Sequence, residues 1–144
     1  MQVIRTLFAY LGALVVTTGL ASVFNSHQIL AGHKALGAEI PMGDQIATYW
    51  GDFLNFTPSF GMVIAIAFAV AFGVAYFMKR VIKPLAIIAY PLAGAAAMAT
   101  ILVTLEIVFD GSGVIGGAQS TVGFGLQCLA GTIGGAFFMM LRPR

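Results

Sequence analysis

The sequence predicts an all-α integral membrane protein. It has four transmembrane helices, both termini in the cytoplasm, and an amphipathic extracytoplasmic helix between the first and second spans. Three observations lead there. Of 144 residues, 60% are apolar and 8% are charged, against about 45–50% and about 25% in soluble domains. Mean hydropathy is +0.98, and so few charges cannot cover a water-facing surface. Four long stretches carry no formal charge at all: Thr6 to His33, Phe53 to Met78, Pro84 to Leu105 and Gly111 to Leu141. Finally, the charges segregate. Arg5, Lys79, Arg80, Lys83, Arg142 and Arg144 fall on one side of these stretches, while Lys34 and all five acids (Glu39, Asp44, Asp52, Glu106, Asp110) fall on the other. The positive-inside rule then places both termini and the short second-to-third loop in the cytoplasm.

This composition excludes a nucleic-acid binder, a disordered chain, a secreted disulfide scaffold and an ordinary soluble enzyme. One domain accounts for the length. The single cysteine, Cys128, permits no intrachain disulfide and lies in an apolar run, where the thiol packs as a small hydrophobe.

A span needs roughly 20 apolar residues to cross about 30 Å of hydrocarbon. Trimmed at their polar flanks, the spans run over about 5–25, 57–79, 84–108 and 119–141, each end uncertain by about 2–4 residues. Runs such as IAIAFAVAFGVAYF do not alternate polar with apolar residues, so they read as helix and not as barrel strand. An export signal is the other reading of the N-terminus, with Arg5 as its positive start and Gly19-Leu20-Ala21 as a cleavage site. Its apolar region exceeds the usual 7–15 or so residues, so a retained helix is expected.

The outer segment, about 26–56, is the only sizeable loop. Residues 27–36 contain no proline and extend the first helix, with Gly37 as its stop. Pro41 and Gly43 mark a turn, and Asp44 is the expected N-cap of a short second helix. In it Ile46, Tyr49, Trp50, Phe53 and Leu54 follow the spacing of one apolar face. Such a face lies on the outer leaflet, covers the bundle, or docks a partner.

Lys79 to Lys83 form a loop short enough to make the second and third helices antiparallel neighbours. Pro84 suits the first turn of the third helix, and Pro91 is expected to kink its interior. The second helix carries Phe68, Phe72, Tyr76 and Phe77 and is expected to face lipid in part. Tyr10, Tyr76 and Tyr90 are placed as aromatic anchors at the cytoplasmic boundary. The last loop, Asp110 to Ser120, is glycine-rich, but it contains no GxxxxGK[ST] pattern and no nearby Lys or Arg, so it is not a nucleotide site. Ser120 or Thr121 caps the fourth helix.

Small residues mark the helix-packing interfaces. They are Gly94 and Ala97, within the run Ala93 to Ala97, on the third helix, and Gly123, Gly131, Gly134 and Gly135 on the fourth, where Gly131 and Gly135 form a GxxxG pair. The faces serve packing inside one bundle, a homo-oligomer, or a larger membrane-protein partner. Polar groups within the spans are Thr104, Glu106 and Gln127. Glu106 sits roughly 6 Å from the outer end, four residues before Asp110, where water or headgroups are within reach. His27 and His33 are six apart and turn to different faces, unlike the i, i+4 pair of a helical metal site. No cofactor and no catalytic set is expected.

The stretch IGGAQSTVGFGLQCLAGTIGGAFF, residues 115–138, resembles the C-terminal end of small bacterial four-span inner-membrane proteins with no assigned function. The resemblance rests chiefly on glycine and alanine. It implies a bacterial inner membrane and no activity. The expected role is a non-catalytic accessory or structural subunit, packed against a larger complex or against itself. The alternative is a small oligomeric transporter or channel with Glu106 and Gln127 on its pathway.

Overall fold

A computed structural model describes residues 2–82, 84, 87–110 and 116–142, apart from the side chain of Phe56. Lys83, the loop residues 111–115 and Arg144, on which some of the expectations above fall, lie outside the described residues. The chain is helical: α1 Gln2–Ala35, α2 Met42–Val81, α3 Ala89–Val108 and α4 Thr121–Leu141, with a 3-10 turn Gly116–Ala118 before α4. No strand occurs among the described residues. Each of the four helices is long and apolar enough to cross a membrane, which marks the chain as an integral membrane protein.

α1 runs on past the apolar region to Ala35 and stops at Gly37, whose φ is +84°. The Gly37 N–H donates to the Lys34 carbonyl at 3.0 Å and the Ala38 N–H to that of His33 at 3.1 Å. This is the Schellman pattern, which needs a residue free of Cβ strain at that position. α4 begins as its sequence suggests: Ser120 Oγ accepts the Gly123 N–H at 2.9 Å.

Two elements differ from expectation. The outer helix and the second span are one 40-residue helix. Its N-cap is Pro41, whose carbonyl accepts the N–H groups of Asp44 and Gln45, each at 3.1 Å. Asp44 stands in the first turn, where its charge meets the positive helix end. Pro58 lies inside this helix; it deletes one backbone bond, to the Leu54 carbonyl, and a single deletion does not end a packed helix. α3, by contrast, starts at Ala89, later than Pro84 suggested. Pro91 therefore sits in the first turn, where a backbone N–H has no acceptor within the helix anyway, and the expected interior kink does not arise.

Neighbouring helices run antiparallel, so both termini lie at one end. α4 is the central partner, packed on α3 and α1, while α2 packs on α1 and α3 more loosely. The core has an uneven division of size. α2 presents Phe60, Ile64, Phe68 and Phe72, one residue per turn and all buried. α1 presents small residues at the same period: Ala9, Ala13, Thr17, Ala21 and Asn25. Phe68 and Phe72 are thus core residues, contrary to a lipid-facing placement, whereas Tyr76 and Phe77 are exposed. Tyr90 is likewise inside and not a boundary anchor. Tyr10, half-buried, donates its hydroxyl to the Ala65 carbonyl on α2.

Candidate functional site

The small residues decide which surfaces remain free. A Cβ on Gly94 would stand 2.0 Å from the Gly131 carbonyl oxygen, and one on Gly131 2.3 Å from that of Gly94. A Cβ on Gly135 would meet the Tyr90 oxygen at 2.1 Å. α3 and α4 therefore touch backbone to backbone through the GxxxG pair. Gly134 faces α1, with Thr17 Oγ1 at 1.8 Å from its would-be Cβ, and Gly123 faces the Gly117 oxygen of the 3-10 turn at 1.8 Å. Ala97 is buried in the same core. All six residues of the small-residue set are occupied within the chain. They give lipid-embedded helices the close approach that dispersion forces need.

The intramembrane polar residues part company. Gln127 is fully buried, and its Nε2 donates to the Ala21 carbonyl at 3.0 Å. Thr104 and Glu106 are exposed on α3, so within the chain Gln127 stands apart from them. Gln127 instead joins a polar face of α1 that composition does not reveal: Thr17, Thr18, Ser22, Asn25 and Ser26, all buried. Asn25 Oδ1 accepts the Gly117 N–H at 2.9 Å. Ser26 Oγ lies 2.7 Å from Asp52 Oδ2 and 3.1 Å from the Ser22 carbonyl. It has one proton, and the shorter, charge-assisted contact takes it. The signal that finds this face is spacing: 17 and 18, then 22, then 25 and 26 recur at helical intervals on one side of α1. Among the described residues, no three His, Cys, Asp or Glu side chains gather closely enough to hold a metal ion.

These contacts carry α1 and α2 together beyond the apolar bundle. Asp52 is tied to Ser26. Gln45 accepts from Lys34 Nζ at 3.2 Å and donates to the Ile40 carbonyl at 2.8 Å. On α2 the residues turned toward α1 are Gln45, Thr48, Tyr49 and Asp52, with Tyr49 and Asp52 half-buried. At about 100° per residue these four cluster on one side. Ile46, Trp50, Phe53 and Leu54 lie roughly a third of a turn away on the same wheel, and all are exposed, Trp50 at 64%. The Trp50 and Phe53 rings stack, 6.2 Å between centroids. Tyr49 is therefore at the margin of the expected apolar face and not in its middle. The polar side of this segment faces its own chain and the apolar side faces away.

No protein-family model, no curated protein and no solved structure matches the chain.

The site geometry gives Gln127 a testable weight. The amide joins α4 to α1, but the Ala21 carbonyl keeps its own helical partner, and Gln127 Oε1 has no partner among the described residues. Gln127→Met removes one interhelical bond, worth about 0.6 kcal/mol on average in membranes, and relieves one unpaired oxygen. The expected loss is under about 1 kcal/mol by SDS-titration unfolding in mixed micelles. A loss above about 2 kcal/mol would give the amide a role beyond joining two helices.

Proposed function

We propose that the chain is a non-catalytic integral membrane subunit that docks a larger membrane protein through Ile46, Trp50, Phe53 and Leu54 on the extracytoplasmic side. The observation that carries this reading is the continuity of α2. Its 40 residues span roughly 60 Å at about 1.5 Å each, twice the hydrocarbon thickness of about 30 Å. A segment continuous with a span does not lie flat on the leaflet, so lipid does not cover its apolar stripe. The charge asymmetry puts this end outside, since Lys and Arg gather at the other end.

The small-residue faces do not supply the docking surface, because the chain uses them itself. Self-association through the stripe is disfavoured by charge. Glu39, Asp44 and Asp52 outnumber the single Lys34 in this outer segment, and two copies meeting there would bring net like charge together. A partner with a basic rim fits.

The test is native mass spectrometry of the assembly, extracted from its own membrane in mild detergent, with wild type beside Trp50→Ala and Ile46→Asp. A stoichiometric foreign subunit is expected. A buried tryptophan anchor at a contact is worth about 2 kcal/mol or more, so Trp50→Ala should weaken it by roughly 30-fold. Val70→Ala, on the exposed face of the apolar part of α2, should leave it intact. An assembly indifferent to both stripe substitutions, or a clean homo-oligomer, overturns the reading.

A further inference from the structure

α2 and α3 do not close on each other along their whole length. An apolar groove of about 640 Å³ runs between them, walled by Val70, Val74 and Met78 on one side and Ala89, Ala93 and Ala96 on the other. The gap follows from side-chain size. α3 offers alanine along this edge, while Phe60, Phe68 and Phe72 of α2 turn to the core.

Met78 and Ala89 of this groove are followed directly in the chain by Lys79 and Tyr90, where cations gather. Lys79 Nζ stands 5.4 Å from the centroid of the Tyr76 ring and 5.3 Å from that of Tyr90. Arg142 Cζ stands 4.9 Å and 5.4 Å from the same two rings. Tyr90 is only 2% exposed, and its hydroxyl has no hydrogen-bond partner among the described residues. α3 begins here as well, and among the described residues no side chain caps its N-terminus. All five acids of the sequence lie at the opposite end of the bundle. Two cations over shared rings repel each other, and among the described residues no Asp or Glu stands near to balance them.

We infer that this groove binds an anionic phospholipid, with an acyl chain between α2 and α3 and the phosphate held by Lys79 and Arg142. Basic pockets between transmembrane helices recognise such headgroups. The lipid supplies both things the site lacks, apolar cover for the alanine wall and negative charge at its end.

The experiment uses the full chain, stripped of lipid in mild detergent and titrated with phosphatidylglycerol or phosphatidylcholine of matched acyl chains, with adducts counted by native mass spectrometry. Phosphatidylglycerol is expected to bind about 10- to 30-fold tighter, from two cations near the headgroup. The double variant Lys79→Gln, Arg142→Gln should lose that preference. Each single variant should lose part of it, which reads the same effect if the double variant does not fold. Arg80→Gln, an exposed cation outside the cluster, should keep it. Ala93→Phe should weaken both lipids. Equal binding of the two lipids, or a preference that survives in the Gln variants, overturns the proposal. So does equal competition by glycerol phosphate, which has no acyl chain.

Discussion

Gly94→Ala is expected to force α3 from α4 and destabilise the bundle by about 3 kcal/mol, the upper end of the usual overpacking range. The new methyl would stand 2.0 Å from the Gly131 oxygen. That obstacle is backbone, so no rotamer change relieves it and one helix must move. Gly131→Ala and Gly135→Ala meet the carbonyls of Gly94 and Tyr90 and belong in the same class. Gly134→Ala should cost less, because its nearest obstacle is the Thr17 hydroxyl, which can rotate. At Gly19, Gly73 and Gly125 an added methyl would find nothing within 4 Å. Alanine at these three should be neutral or stabilising by up to about 1 kcal/mol, the propensity gain over glycine in a helix. The double variant Gly94→Ala, Gly131→Ala should cost less than the two singles together, since helices already separated accommodate the second methyl. SDS-titration unfolding of the series checks this. A Gly94→Ala protein as stable as Gly125→Ala would refute the backbone contact.

The same glycines show how far a membrane sequence can be read. Four uncharged runs and a one-sided distribution of Lys and Arg are enough to identify the spans, because the bilayer imposes length and polarity on every one of them. The pair Gly131 and Gly135 is legible as a close-approach face. What the spacing cannot say is which helix approaches, and here it is α3 of the same chain. The consequence for function is direct. A face that looks like an oligomer seam is already filled, and substitutions there report folding before they report assembly.

The polar face of α1 is less legible for a different reason. Serine and threonine inside a helix can bond their own backbone, as Thr100 and Thr132 do at 2.8 Å and 2.9 Å, so their presence in a span carries little information. Only their recurrence on one side of α1 separates them from such cases. Proline misleads in two directions. Pro58 stands beside the expected start of the second span, yet α2 runs straight through it, and Pro91 suggests an interior kink where α3 has barely begun. The reasons differ. Pro58 costs α2 one backbone bond, to the Leu54 carbonyl, and a packed helix survives a single deletion, whereas Pro91 in the first turn of α3 has no bond to lose.

The four helices meet at one ring, and its removal is the other large effect expected. Phe72 of α2 stacks on Phe138 of α4 at 4.5 Å between centroids and lies 4.8 Å from Phe68. It meets Tyr90 of α3 and Tyr10 of α1 edge-on at 5.8 Å and 6.4 Å. Such pairs contribute about 0.5–1.5 kcal/mol each beyond area burial. In a water-soluble core Phe→Ala costs about 3–5 kcal/mol. In a bilayer the transfer part shrinks, because separated helices remain in lipid, while the cavity and the lost ring contacts remain. Phe72→Ala is therefore expected to cost about 2–3 kcal/mol, and Phe72→Leu less, since it keeps part of the volume. Phe77→Ala, at a residue 67% exposed on the same helix, should fall within about 0.5 kcal/mol of wild type. The stability series alone tests the packing, and Phe72 and Phe77 variants of equal stability would refute the hub. The hub also positions the cation cluster, because Tyr90 is held between Phe72 and Phe138 while Lys79 and Arg142 rest over its ring. Phe72→Ala should therefore loosen Tyr90 and reduce the preference for anionic lipid, although Phe72 carries no charge. Phe77→Ala should leave that preference intact.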